Sequence, residues 1–63
     1  MDIGRIKGLI EKHERLRDKA LSKAERYRTN FEWDLAETCS AEAQNNQNMI
    51  NEYERLINAG TDN

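Results

Sequence analysis

Apolar residues recur along the first half of the chain at helical spacing. Ile6, Leu9, His13, Leu16, Ala20, Ala24 and Tyr27 fall in one stripe, flanked by Ile3, Ile10 and Leu21, while Lys12, Arg15, Lys19, Ser22 and Arg26 take the opposite side. The pattern predicts an amphipathic helix over about residues 3–28. Asp2 is placed to cap its N-terminus, and Lys23, Arg26 and Arg28 suit the negative end of its dipole. The second half repeats the period with Leu35, Cys39, Glu42, Asn46, Met49, Tyr53 and Leu56, widened by Ile50 and Ile57. It predicts a second helix over about residues 31–59, with a disordered tail at 60–63, since Gly60 followed by Thr61-Asp62-Asn63 reads as a stop.

The join is the least marked point, because neither Gly nor Pro occurs between Leu9 and Ala59. Thr29-Asn30 combines poor helix propensity with good capping chemistry, and Thr29 to Glu32 has capping-box spacing, so the turn is placed at 29–30. One continuous helix is the alternative, because the two stripes are nearly in phase. The hairpin makes the expected fold all-α: an antiparallel helical hairpin that self-associates into a four-helix bundle, in a single domain of residues 1–63.

Charge narrows the topology. Residues 1–28 hold nine Lys or Arg against five acids, whereas residues 29–63 hold only Arg55 against seven acids. The net charge of −2 therefore hides a basic half and an acidic half. Parallel pairing sets like against like, and antiparallel pairing does the reverse. With the turn at 29–30, residue i lies level with residue 60 − i, which sets Ile10 near Ile50, Ile6 near Tyr53 and Ile3 near Ile57. The same register sets Arg17 near Glu42 or Ala43 and His13 near Asn46 or Gln47. His13, Arg17, Glu42 and Asn46 thus form an expected polar layer that specifies register with little net gain in stability.

A chain of 63 residues is one small domain, below the size at which one core usually suffices, so a homo-oligomer, most simply a dimer, is expected. Mean hydropathy is −1.05 and 35% of residues are charged. Those values alone suggest disorder, which the regular apolar spacing argues against. The lone Cys39 rules out an internal disulfide and most metal sites, and it reads as a small buried hydrophobe. No stretch approaches the roughly 20 apolar residues of a membrane span, and Met1 to Lys7 has no signal-peptide run, so a cytoplasmic protein without membrane contact is expected.

No nucleophile–base set or Gly-rich phosphate loop is present, and the reading is of a non-enzyme without cofactor or metal. The function expected is that of a small, regulatory protein–protein interaction module acting through a helical surface. Trp33, off the stripe of its own helix, and Glu37 on the acidic half are the expected partner-binding residues. The alternative is a dimeric RNA- or DNA-binding hairpin that uses Lys12, Arg15, Lys19 and Arg26 on the basic face of the first helix.

Overall fold

In a computed structural model that describes residues 2–61, the chain forms two helices, α1 over Ile3–Thr29 and α2 over Trp33–Thr61, packed against each other as an antiparallel hairpin. Its Cα envelope measures 50 × 14 × 10 Å, the shape of one long pair of helices. Asp2 caps α1 as its position suggests, Oδ1 accepting from the Arg5 amide at 3.0 Å. Arg26 and Arg28 occupy the last turn, beside the exposed carbonyls of the helix end.

The turn lies one to two residues further on than the sequence suggests. Thr29 is the last residue of α1, and its hydroxyl donates back to the Glu25 carbonyl at 3.0 Å, so the expected capping box with Glu32 does not form. The reversal instead uses residues 30–32. The Glu32 amide bonds the Tyr27 carbonyl at 2.8 Å and the Phe31 amide bonds the Arg28 carbonyl at 3.0 Å. This pair of bonds is a Schellman motif, which needs a left-handed residue at its centre. Phe31 supplies it, with φ 61°. Glu32 then opens α2, its carbonyl accepting from the Ala36 amide at 3.0 Å. At the far end α2 runs through Gly60 to Thr61, past the expected stop; residues 62 and 63 of the expected tail lie outside the described residues.

The buried line of each helix is a strict alternation of three and four residues. On α1 it is Ile3, Ile6, Ile10, His13, Arg17, Ala20, Ala24 and Tyr27, each buried or half-buried. On α2 it is Ala36, Cys39, Ala43, Asn46, Ile50, Tyr53 and Ile57. That spacing is the seam of an antiparallel coiled coil. Near the turn both lines carry small side chains, Ala20 and Ala24 against Ala36, Cys39 and Ala43, so the backbones can approach closely. Toward the open end the residues are large.

The seam is rotated from the stripe read in the sequence. Leu9 and Leu16 on α1, and Leu35, Glu42, Met49 and Leu56 on α2, stand one position to its side. Leu16, Leu35, Met49 and Leu56 keep 39–47% of their surface exposed. Among the described residues the buried apolar side chains are Ala20, Ala24, Ala36, Cys39, Ala43 and Ile50, of which Ile50 alone is large. The apolar stripe is wider than one partner helix can cover.

Candidate functional site

Three regions concentrate the chemistry of the molecule: the tip at the turn, the polar layer at mid-height and the outer face of α1. At the tip, the left-handed backbone at Phe31 throws its ring outward. Phe31 is 76% exposed and Trp33 60%. Their rings meet edge to face, with centroids 6.1 Å apart and an interplanar angle of 67°. Residues Phe31 to Leu35 line a shallow, open concavity that includes the acids Glu32 and Asp34. Glu37, also exposed, stands one turn along from Trp33 on the same face of α2. The two expected partner-binding residues are therefore brought together at the tip, and Phe31 joins them. A large aromatic residue set directly after the Thr29-Asn30 break was the available signal for Phe31.

The polar layer forms with altered partners. Asn46 is buried, and its amide nitrogen donates to the Glu42 carbonyl at 3.0 Å. Its Oδ1 is therefore the acceptor for His13 Nδ1–H at 2.8 Å, as the sequence register suggests for this pair. The His13 ring also lies 5.7 Å from that of Tyr53, centroid to centroid. Arg17 does not meet Glu42. Its Nη1 donates to Gln47 Oε1 at 2.8 Å, and Nε and Nη2 hold Asp18 at 3.0 Å. Gln47 in turn donates to Asn51 at 2.9 Å. Glu42 is exposed, its side chain outside the layer. Glu42 directly precedes the seam residue Ala43 and Gln47 directly follows the seam residue Asn46, so the two flank the seam on opposite sides, and Arg17 closes over the side that carries Gln47. Among the described residues no buried side-chain nitrogen or oxygen lacks a hydrogen-bond partner.

Lys12, Arg15, Lys19 and Arg26 are all exposed along the outer face of α1. Among the described residues the ion pairs are Arg17 with Asp18 and Arg55 with Glu52, so none of these four cations is held by a carboxylate. Cys39 is a free, buried thiol on the seam. Among the described residues no three His, Cys, Asp or Glu side chains gather as a metal site would require, and no helix is long and apolar enough to cross a membrane.

No protein-family model, curated protein or solved structure matches this chain. The surfaces themselves are what any functional reading rests on.

Proposed function

We propose that the protein is a small, non-enzymatic interaction module, a self-associating helical hairpin whose tip docks on another protein. The observation that carries this reading is the Phe31–Trp33 pair, two aromatic rings held mostly in solvent by a turn that forces a bulky residue into the left-handed region. Stability alone gives no reason to put Phe there. A non-glycine residue in that conformation costs roughly 1–2 kcal/mol, and an exposed ring recovers little of it by burial. Strain of this kind accumulates where a side chain is needed for contact. Exposed aromatic anchors are also typical of the residues that dominate binding energy. Glu32, Asp34 and Glu37 around the rings select a partner whose apolar pocket has a basic rim.

The test is affinity capture from the source cell with three baits: the wild-type chain, Trp33→Ala and Phe31→Gly. Both substitutions lie at exposed positions outside the seam, and circular dichroism is expected to show the helices intact in each. A protein retained by the wild type and lost from both variants supports the reading. An identical set retained by all three overturns it.

A second reading rests on the unpaired cations Lys12, Arg15, Lys19 and Arg26, whose spacing along one helix face can follow nucleic-acid phosphates. A gel-shift titration across salt separates the two. Binding that falls steeply with salt and is lost in the Lys19→Ala/Arg26→Ala variant favours RNA or DNA; no shift at micromolar protein removes that reading.

A further inference from the structure

The two sides of the hairpin seam differ sharply. On one side Arg28 Nη2 donates to Ser40 Oγ at 2.9 Å and Arg17 reaches Gln47, with Leu21 the exposed leucine among these polar groups. The other side carries Leu9 and Leu16 from α1 with Leu35, Met49 and Leu56 from α2. In an antiparallel pair, the residues that precede the seam on each helix share one side, which makes these five a single surface. They recur every seven residues on both helices, and the register puts Leu9 level with Leu56, Leu16 with Met49, and Lys23 with Glu42. The result is a ladder of two apolar rungs and one charged rung along the hairpin.

From this ladder we infer that a second copy of the chain packs on the Leu9–Leu16–Met49–Leu56 face with its turn at the same end, the two-fold axis running along the bundle. This inference rests on the self-association proposed above and fixes its geometry. Area supports a second copy as the occupant. The whole Cα envelope is 50 Å by 14 Å on its broad side, so a contact running the full length of the hairpin projects to about 700 Å², close to the roughly 800 Å² per partner of a standard stable interface, with the two apolar rungs as its centre. The seam alone buries one large side chain completely, Ile50, so the chain has need of a second interface.

Charge selects the orientation. Two face-to-face arrangements have two-fold symmetry. With the axis along the bundle, α1 lies beside α2 of the partner, and every neighbouring pair of helices is antiparallel. With the axis across the bundle, α1 lies beside α1 of the partner. α1 carries nine Lys or Arg and four acids, and α2 carries one Arg and five acids, so the first arrangement sets basic against acidic and the second sets like against like. The rungs agree. The first puts apolar rung on apolar rung and Lys23 beside the partner's Glu42. The second, with the two chains fully overlapped, puts Leu9 against Lys23 and Leu56 against Glu42, and it can match apolar rungs only by sliding the chains apart. The same arrangement brings both Phe31–Trp33 tips to one end of the bundle, a bivalent docking surface.

The test joins sedimentation with a distance measurement. Spin labels at Asn30→Cys, in a Cys39→Ala background shown to be helical, read the separation of the two turns by pulsed electron resonance. Separations within about 30 Å, two to three helix widths, are expected; a dimer whose labels lie near the 50 Å molecular length overturns the orientation and leaves self-association standing. A chain that sediments as a monomer at every concentration overturns both.

Charge exchange gives an independent readout. Lys23→Glu and Glu42→Lys should each weaken self-association by about tenfold or more, and mixing the two proteins should restore it as a heterodimer, because each then offers the other its complement. Singles that dimerise like the wild type, or a mixture no tighter than either single, contradict the proposed contact. Leu16→Glu and Met49→Glu, at positions outside the seam, should each move dimerisation and helix formation together to at least about tenfold higher protein concentration; unchanged dimers contradict the face.

Discussion

Phe31 sits where a Schellman motif usually has glycine, and the consequences for stability and for binding run in opposite directions. At φ 61° its Cβ crowds the backbone, and its ring, 76% exposed, gains little in return. Phe31→Gly is therefore expected to stabilise the hairpin by about 0.5–1 kcal/mol in urea unfolding, while abolishing capture of the tip's partner. A Phe31→Gly chain less stable than the wild type would mean that the ring packs more than its exposure implies. Asn46 poses the opposite case, a buried polar group whose partners are all made. Asn46→Ala leaves the His13 Nδ1–H facing the seam without its acceptor and should cost about 1–3 kcal/mol. The double substitution His13→Leu/Asn46→Leu removes both partners and should recover most of that loss. Equal losses for single and double, measured by denaturant unfolding, would show that the hydrogen bond itself carries the stability.

At the level of the helices, α1 is long but opens weakly. Gly8 is exposed, and a methyl group added there would meet nothing within 4 Å. Gly8→Ala should raise stability by about 1 kcal/mol in thermal or urea unfolding at fixed protein concentration, and because the position faces away from both interfaces it acts on association only through helix stability. Both helices and their antiparallel packing were legible in the sequence because a 3.6-residue period of apolar positions survives even with 35% of the chain charged. The turn was less so. Thr29-Asn30 signals a break, but the reversal depends on a left-handed Phe31, a conformation that no aromatic residue advertises. Arg17 bonds Gln47 in place of Glu42 because those two residues flank the seam on opposite sides, while His13 pairs with Asn46 as the register suggests. The seam's place within each stripe is hidden for a different reason. Leu9, Leu16, Met49 and Leu56 pull the apparent centre of each stripe toward themselves, and pattern alone cannot divide one wide stripe into a seam and a second face. At the tip, Trp33 stands out in the sequence as an aromatic residue off its stripe, whereas the ring direction of Phe31 is set by a backbone angle that the apolar pattern does not carry.

For the whole molecule, the separation of charge and the width of the apolar stripe have one common explanation. A basic α1 and an acidic α2 attract within the hairpin, and the same polarity favours α1 beside a partner's α2. The small residues near the turn, four Ala and one Cys, bring the two helices together but bury little. The large side chains that add burial, Leu16, Met49 and Leu56 among them, lie on the open face. Folding and association are thus expected to be one event, with helicity and mass changing together as the protein is diluted. Sedimentation equilibrium with circular dichroism across a concentration series measures both at once. The expected result is a helical species of twice the 7.4 kDa chain mass that loses helix as it dissociates, with a melting temperature that rises with concentration. A fully helical species of 7.4 kDa with one melting temperature at every concentration would contradict it.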